Sequence, residues 1–338
     1  MTSAEPTTFQ RLALPFALAL AILLSALLSL SIGTVWLSPA EVLRWLFIPD
    51  EPMGIAVREL RVPRTLLAVL VGGGLGLVGA ALQGYTRNPL ADSGLLGING
   101  GAALGAVLVL YSGFLQTTAF TYGVPIGGLA GAGAATFLIA WLAGHVKSIQ
   151  TLILAGVAVS ALAGALTSLV LNFSPNAYAA REIIFWLMGS VADRSWDHLF
   201  FSAPLMLIGA WIILACGRSL QALTLGDDTA ASLGISLTRL RWSLILGCAL
   251  VVGPATAAAG AIGFIGLVVP HILRPLVKYD PSRLLVTSML GGALLLLWAD
   301  IFVRILPVEQ ELKLGVLTAL LGAPFFFWLI FRLRRMYP

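Results

Sequence analysis

Charge is what this chain of 338 residues has least of: 10% of its residues are Asp, Glu, Lys or Arg, where a soluble domain carries about a quarter. No Asp, Glu, Lys, Arg or His interrupts residues 65–86, 93–144 or 242–270. That scarcity excludes a solvated globular surface. With 59% hydrophobic residues and a mean hydropathy of +0.97, it leaves a polytopic membrane protein. Cysteine is nearly absent too. Cys216 and Cys248 both lie in apolar runs and read as small core hydrophobes, which argues against a disulfide framework or a thiolate metal site. Lys147, Lys278 and Lys313 each follow valine or leucine, so no Gly-Lys-Ser/Thr exists and the glycine-rich run 71–79 is no phosphate loop. His145, His198 and His271 are scattered, and no zinc-hydrolase, paired-cysteine or serine-nucleophile motif appears. We therefore expect no catalytic residues and no bound metal. Midspan carboxylates are missing as well, because Asp92 and Asp300 fall near expected helix ends. This weakens the alternative of another class, an ion-coupled secondary transporter.

Glycine, by contrast, is plentiful. Small residues four apart, such as Gly72 and Gly76, let helix backbones touch where no water drives association. The charge spacing counts the helices. Single spans fit 12–34, 65–85, 151–172, 199–216, 283–302 and 314–331, and 93–144 holds two, split near 112–122. The run 242–270 is too long for one helix; Pro254 and Gly260/Gly263 divide it into a full span and a short helix ending near Pro270 or Pro275. That makes about ten transmembrane helices in an all-α fold. The first span reads as retained, since Arg11 is its one leading basic charge and no small-residue cleavage site precedes Trp36.

Ten spans put both termini on one side. A cytoplasmic N-terminus places 12 of the 20 Lys and Arg residues inside, with 5 of the 15 acids, leaving +7 inside against −2 outside. This is the positive-inside bias, and it explains the pI near 9.6 without nucleic acid as a partner. The segment 34–64 then faces outward, where Ser38-Pro39-Ala40-Glu41 reads as a capping box opening an amphipathic helix over 39–47. The chain reads as one integral-membrane domain, 1–338, with a cytoplasmic tail 1–11 and a polar cytoplasmic segment 219–237. Within that segment lies Leu225-Gly226-Asp227-Asp228-Thr229-Ala230-Ala231-Ser232-Leu233-Gly234. Two acids at the positive end of a one-to-two-turn helix and a glycine stop mark a structured protrusion.

Three segments together resemble a known family. They are Leu60-Arg61-Val62-Pro63-Arg64 with the glycine-rich span and Gln83–Gly97 after it; Leu225–Gly234; and Gly260–Arg274, followed by Ala299-Asp300-Ile301 and Leu321-Gly322-Ala323-Pro324-Phe325. In this order they closely resemble the FecCD family, the iron-chelate and vitamin B12 branch of ABC-importer permeases. The resemblance implies a homodimeric or pseudo-dimeric permease of the cell inner membrane with its translocation path at the dimer axis. It also implies two ATP-binding-cassette subunits inside and a periplasmic or lipid-anchored binding protein outside. ATP and magnesium then belong to the partner ATPase, and this chain needs no cofactor of its own.

Site residues follow from the same resemblance. Residues 225–234 become the helix that docks in the ATPase. Arg61, Arg64 and Arg304 match arginines that pair with acids on the binding protein; snorkelling, or pairing with Glu59 and Glu309, is their other reading. The cytoplasmic gate maps to Asn88, Leu90, Ile149 and Gln150, and Asn88-Pro89 also reads as a plain helix stop. Candidate path-lining groups are Ser160, Thr167, Ser168, Asn172, Tyr178 and Arg181. Arg181 fits an anionic cargo, or a local pair with Glu182 or Asp193. Ferric siderophore, haem and corrinoid are all family cargoes. The number of iron systems in the family, a base-rate argument, favours an iron chelate.

Overall fold

A computed structural model describes residues 8–33, 35–48, 51–112, 120–144, 149–174, 176–307 and 310–336. Its order is α1 (Thr8–Ser31), α2 (Pro39–Phe47), α3 (Pro52–Ile55), a π-helical turn (Ala56–Arg61) and α4 (Val62–Thr86). A 3-10 turn (Ser93–Leu96) leads to α5 (Ile98–Tyr111), α6 (Phe120–Ala143), α7 (Ile149–Asn172), α8 (Ala177–Leu187) and α9 (Trp196–Ala215). Then come α10 (Gly217–Leu223), α11 (Asp227–Ser232), α12 (Leu237–Ala259), α13 (Ile265–Leu273), α14 (Pro281–Ile305) and α15 (Leu314–Met336). Among the described residues, seven helices are long and apolar enough to cross a bilayer: α1, α4, α6, α7, α9, α12 and α14. The shorter apolar helices α5 and α15 and the half-helix α13 bring the described set to the expected ten. The tail 1–7 and the 113–119 part of the expected α5–α6 split lie outside the described residues.

α4 is the hub: 83% of its apolar window is inside the protein, against 11% for α1. It packs on α14, α13, α12 and α9. Glycine makes the closest of these contacts possible. A methyl group on Gly76 would strike the Ser288 carbonyl, and one on Gly72 would strike that of Gly292, so both helices offer small residues four apart. α5 and α6 repeat the device with Gly101 and Gly105 against Gly127 and Gly131.

One expectation needs correction. Pro254 does not break the long run, because α12 passes straight through it and ends at Ala259. Its position is fully buried among neighbouring helices, where such a proline is tolerated. The break comes at Gly260, whose φ of +72° leaves the helical region, and Phe264 enters α13 left-handed at φ +67°. Unwound backbone inside an apolar bundle needs partners from the protein. It finds some next to the break: the Ser190 amide donates to the Ala259 carbonyl at 2.7 Å, and the Gly315 amide to the Gly189 carbonyl at 3.4 Å.

Two side-chain contacts fix which connections share an end. Trp196 Nε1 donates to the Arg58 carbonyl at 3.0 Å, tying the start of α9 to the α2–α3 end. Arg87 pairs with Asp227, tying the α4–α5 connection to α11 at the opposite end. At the first of these ends, α2 starts with the expected capping box: the Ser38 amide donates to the Glu41 carboxylate at 2.7 Å, and the Glu41 amide to the Ser38 hydroxyl at 3.3 Å.

Candidate functional site

The protrusion of residues 225–234 is a six-residue helix, α11, held between two glycines with left-handed φ, Gly226 at +100° and Gly234 at +83°. No atom comes within 4 Å of where either side chain would begin, so it is backbone conformation that calls for glycine here. Ala230 is its one fully buried residue. Its amide donates to the Gly226 carbonyl at 3.0 Å, and its own carbonyl accepts from the Ile235 amide at 3.1 Å. Asp227 reaches Arg87 across to the end of α4. Thr229, Ala231 and Ser232 are exposed, with Asp228 beside them, and Leu225 and Leu233 stand 63% and 62% exposed at either end. Beside α11 opens a cavity of about 1020 Å³ lined by Tyr85, Trp141, Leu223, Arg241 and Trp242. The helix thus leaves a bare leucine at each end.

The gate residues are less well defined. Asn88 closes an Asx turn, its Oδ1 accepting from the Leu90 amide at 2.9 Å, just after Arg87 turns left-handed. Ile149 and Gln150 open α7, and Gln150 is exposed. The connection meets α7 further along than expected. Ser160 donates to the Gly94 carbonyl at 3.3 Å, and a side chain on Gly97 would press on the Gly156 carbonyl.

Of the expected path residues, Ser160 is thus bonded to the α4–α5 connection. Thr167 is buried, and its hydroxyl donates to the Ala163 carbonyl at 2.8 Å. Ser168, Asn172, Tyr178 and Arg181 are exposed. The exposed arc of α7 has two chemistries. Leu162, Leu166 and Leu169 form one side, while Ala158, Ala161, Gly164, Ala165, Ser168 and Asn172 form the other, with Leu154 and Val157 exposed among them in the first half of the helix. Arg181 lies 5.0 Å from the Phe185 ring and forms no ion pair among the described residues, so Glu182 and Asp193 are not its partners.

The three arginines are each bonded to groups of the chain itself. Arg61 donates to the carbonyls of Leu30 at 2.8 Å and Val35 at 2.7 Å. Arg304 donates to those of Ser29 at 2.9 Å and Ile32 at 3.0 Å. Both cap the C-terminal end of α1, where carbonyls lack partners and the helix dipole is negative. Arg304 also pairs with Asp300 at 2.8 Å. Arg64 holds Asp300 at 2.8 Å on one edge and Glu311 on the other. Glu59 is not among these partners, and Glu309 lies outside the described residues.

Sequence reasoning also missed a buried polar chain. Thr256 donates to Asn99 at 3.0 Å, Asn99 to Ser93 at 3.3 Å, and Ser93 to Asp92 at 3.3 Å. Gln83, buried in α4, donates to the Gly266 carbonyl at 3.1 Å and accepts from Arg274. The available signal was single polar residues set inside otherwise apolar runs.

Comparison with known proteins agrees with this architecture. The sequence profile of the FecCD transport family matches residues 20–332. The chain is 40% identical over 327 residues to the hemin transport system permease protein HmuU of Yersinia pestis, covering 96% of each. It is 38% identical over 319 residues to the vitamin B12 import system permease protein BtuC of Klebsiella pneumoniae, covering 94% of this chain and 93% of that one. Among solved structures, an inward-facing putative metal-chelate type ABC transporter superposes with a TM-score of 0.84 at 34% identity, over 95% of this chain and 99% of that one. PsaBC of Streptococcus pneumoniae, at 17% identity and a TM-score of 0.54 over 86% of this chain and 94% of that one, shares the fold.

Proposed function

Because the chain belongs to the FecCD transport family, we propose that it is the membrane subunit of a binding-protein-dependent ABC importer for a bulky iron chelate, a ferric siderophore or haem. α11 carries this reading. A six-residue helix with one buried anchor and exposed leucines at both ends turns most of its surface away from the bundle, which suits docking in a separate ATPase that supplies the energy. The positive-inside bias supports a cytoplasmic α11 end and cytoplasmic termini in an inner membrane. Two copies of this chain would then bring the small-residue side of α7 to a shared axis. Cargo would pass there, with Ser168 and Asn172 as its polar lining and Asn88, Leu90, Ile149 and Gln150 near the inner gate. Arg64, with its edge at the α2 end, would receive the binding protein. The hemin relative supports an iron chelate; the vitamin B12 relatives support a corrinoid as the second reading.

The test is reconstitution in proteoliposomes with the ATPase and binding protein encoded beside this chain, using hemin and cyanocobalamin as probes. ATP-dependent uptake of hemin supports the first reading, and uptake of cyanocobalamin alone replaces it with the second. Uptake of either without ATPase would overturn the importer assignment.

A further inference from the structure

Arg64 is held on two edges by two carboxylates of different standing. On the inner edge, Asp300 has no solvent exposure and takes Nε at 3.0 Å and Nη2 at 2.8 Å, with Arg304 fixing its other oxygen. On the outer edge, Glu311 takes Nη1 at 3.3 Å and a second bond from Nη2. Glu311 is one-third exposed and lies in the non-helical stretch before α15, so no helical ladder holds it. Arg64 is its ion-pair partner among the described residues.

From this asymmetry we infer that Glu311 is a resident place-holder, occupying the outer edge of Arg64 until an acidic side chain of a docking protein takes its position. Asp300 is the positioning residue that keeps the guanidinium fork aimed outward through the exchange. This rests on the reading that a binding protein docks at the α2 end. The partner chemistry follows from the vacated geometry: a planar fork that has released one carboxylate accepts another with the same two parallel bonds. The exchange conserves the number of ion pairs. Selectivity then lies in whether the incoming acid brings further contacts that Glu311 lacks.

The experiment uses the full chain in lipid nanodiscs with phenylglyoxal, which modifies accessible guanidinium groups, and peptide mass spectrometry to read each arginine. Arg44, exposed at the same end, is the internal reference. Glu311→Gln is expected to speed modification of Arg64 about tenfold, the release of one charge-assisted contact, with Arg44 unchanged. Glu311→Asp, which retains the carboxylate, is expected to lie between the two. Hexaglutamate is expected to protect Arg64 at lower concentration in Glu311→Gln than in the unaltered chain. An unchanged Arg64 rate in Glu311→Gln overturns the place-holder role whatever docks there. A raised rate with no protection by hexaglutamate overturns the docking reading, and the exchange with it. If Glu311→Gln lowers the melting temperature, the Glu311→Asp protein carries the same comparison.

Discussion

At the scale of single residues, the sharpest energetic statement concerns Asp300. Its carboxylate has no exposure and lies between Arg64 and Arg304, so neutralising it leaves two guanidinium groups short of a counter-charge. Breaking one side of a buried ion pair typically costs about 3–5 kcal/mol. Asp300→Asn is therefore expected to lower the thermal midpoint of the purified protein in detergent by several degrees; an unchanged midpoint would show that water already reaches the cluster. Glycines divide just as cleanly. Gly76→Leu forces a side chain into the Ser288 carbonyl and is expected to cost about 1–3 kcal/mol. At Gly133 nothing lies within 4 Å of where a side chain would begin, so Gly133→Leu is expected to be neutral in the same melt. The close contact at Gly76 could be anticipated from its spacing to Gly72. The partners of Arg64 could not, because Asp300 lies 236 positions away and nothing local to either residue marks the pair.

Single elements test function more directly. Ala230→Pro removes the amide that closes α11 and clashes with the preceding turn, at about 3 kcal/mol in a helix interior. In proteoliposomes holding all components, it is expected to abolish cargo uptake while the bundle keeps its melting temperature. Normal uptake would remove α11 from energy coupling. α2 offers a pH test. The Ser38 amide and hydroxyl hold the Glu41 carboxyl below its usual pKa. A depressed folded-state pKa adds stability above the unfolded value and loses it as pH falls through the folded one. Amide-exchange protection over 39–47 is thus expected to drop only below about pH 4. Protection that is flat down to pH 3 would mean the cap is not what holds this helix. Both elements were legible in the sequence because their signals are local: a capping box spans four residues, and a glycine stop marks a short helix. The Gly260 break was less legible, because a buried proline and a left-handed glycine compete as helix enders and only the surrounding packing decides between them.

For the whole molecule, the count of ten helices followed from charge spacing together with the helix breakers inside the longest runs, since a bilayer imposes one length on every span. The functional surface was harder to read. Whether a polar residue on α7 points into the bundle, to lipid or to a second copy depends on rotation about the helix axis, which weak apolar periodicity does not fix. Thr167 shows this, being buried one position from exposed Ser168. Gly164 gives a clean test, since nothing lies within 4 Å of its missing side chain. Gly164→Trp is expected to leave the folded protein as stable as before and to reduce uptake at least about tenfold by filling the shared axis, a loss equivalent to 1.4 kcal/mol. Undiminished uptake would turn this side of α7 toward lipid.

The two arginines that cap α1 also set a timetable. Arg61 is made about thirty residues after the carbonyl it binds on Leu30, so that cap forms almost as soon as α1 leaves the ribosome. Arg304 comes 275 positions after Ser29, which at about 5–20 residues per second is a delay of roughly a quarter to one minute. Through that interval the first helix to enter the bilayer is seated at one point and open at another, with little buried surface to hold it. Stalled nascent chains carrying Ser29→Cys are expected to react with a membrane-impermeant thiol reagent when they end before α14 is made, and to become protected once Arg304 has emerged. Equal protection at both lengths would mean that the earliest helix finds its place without waiting for one of the last.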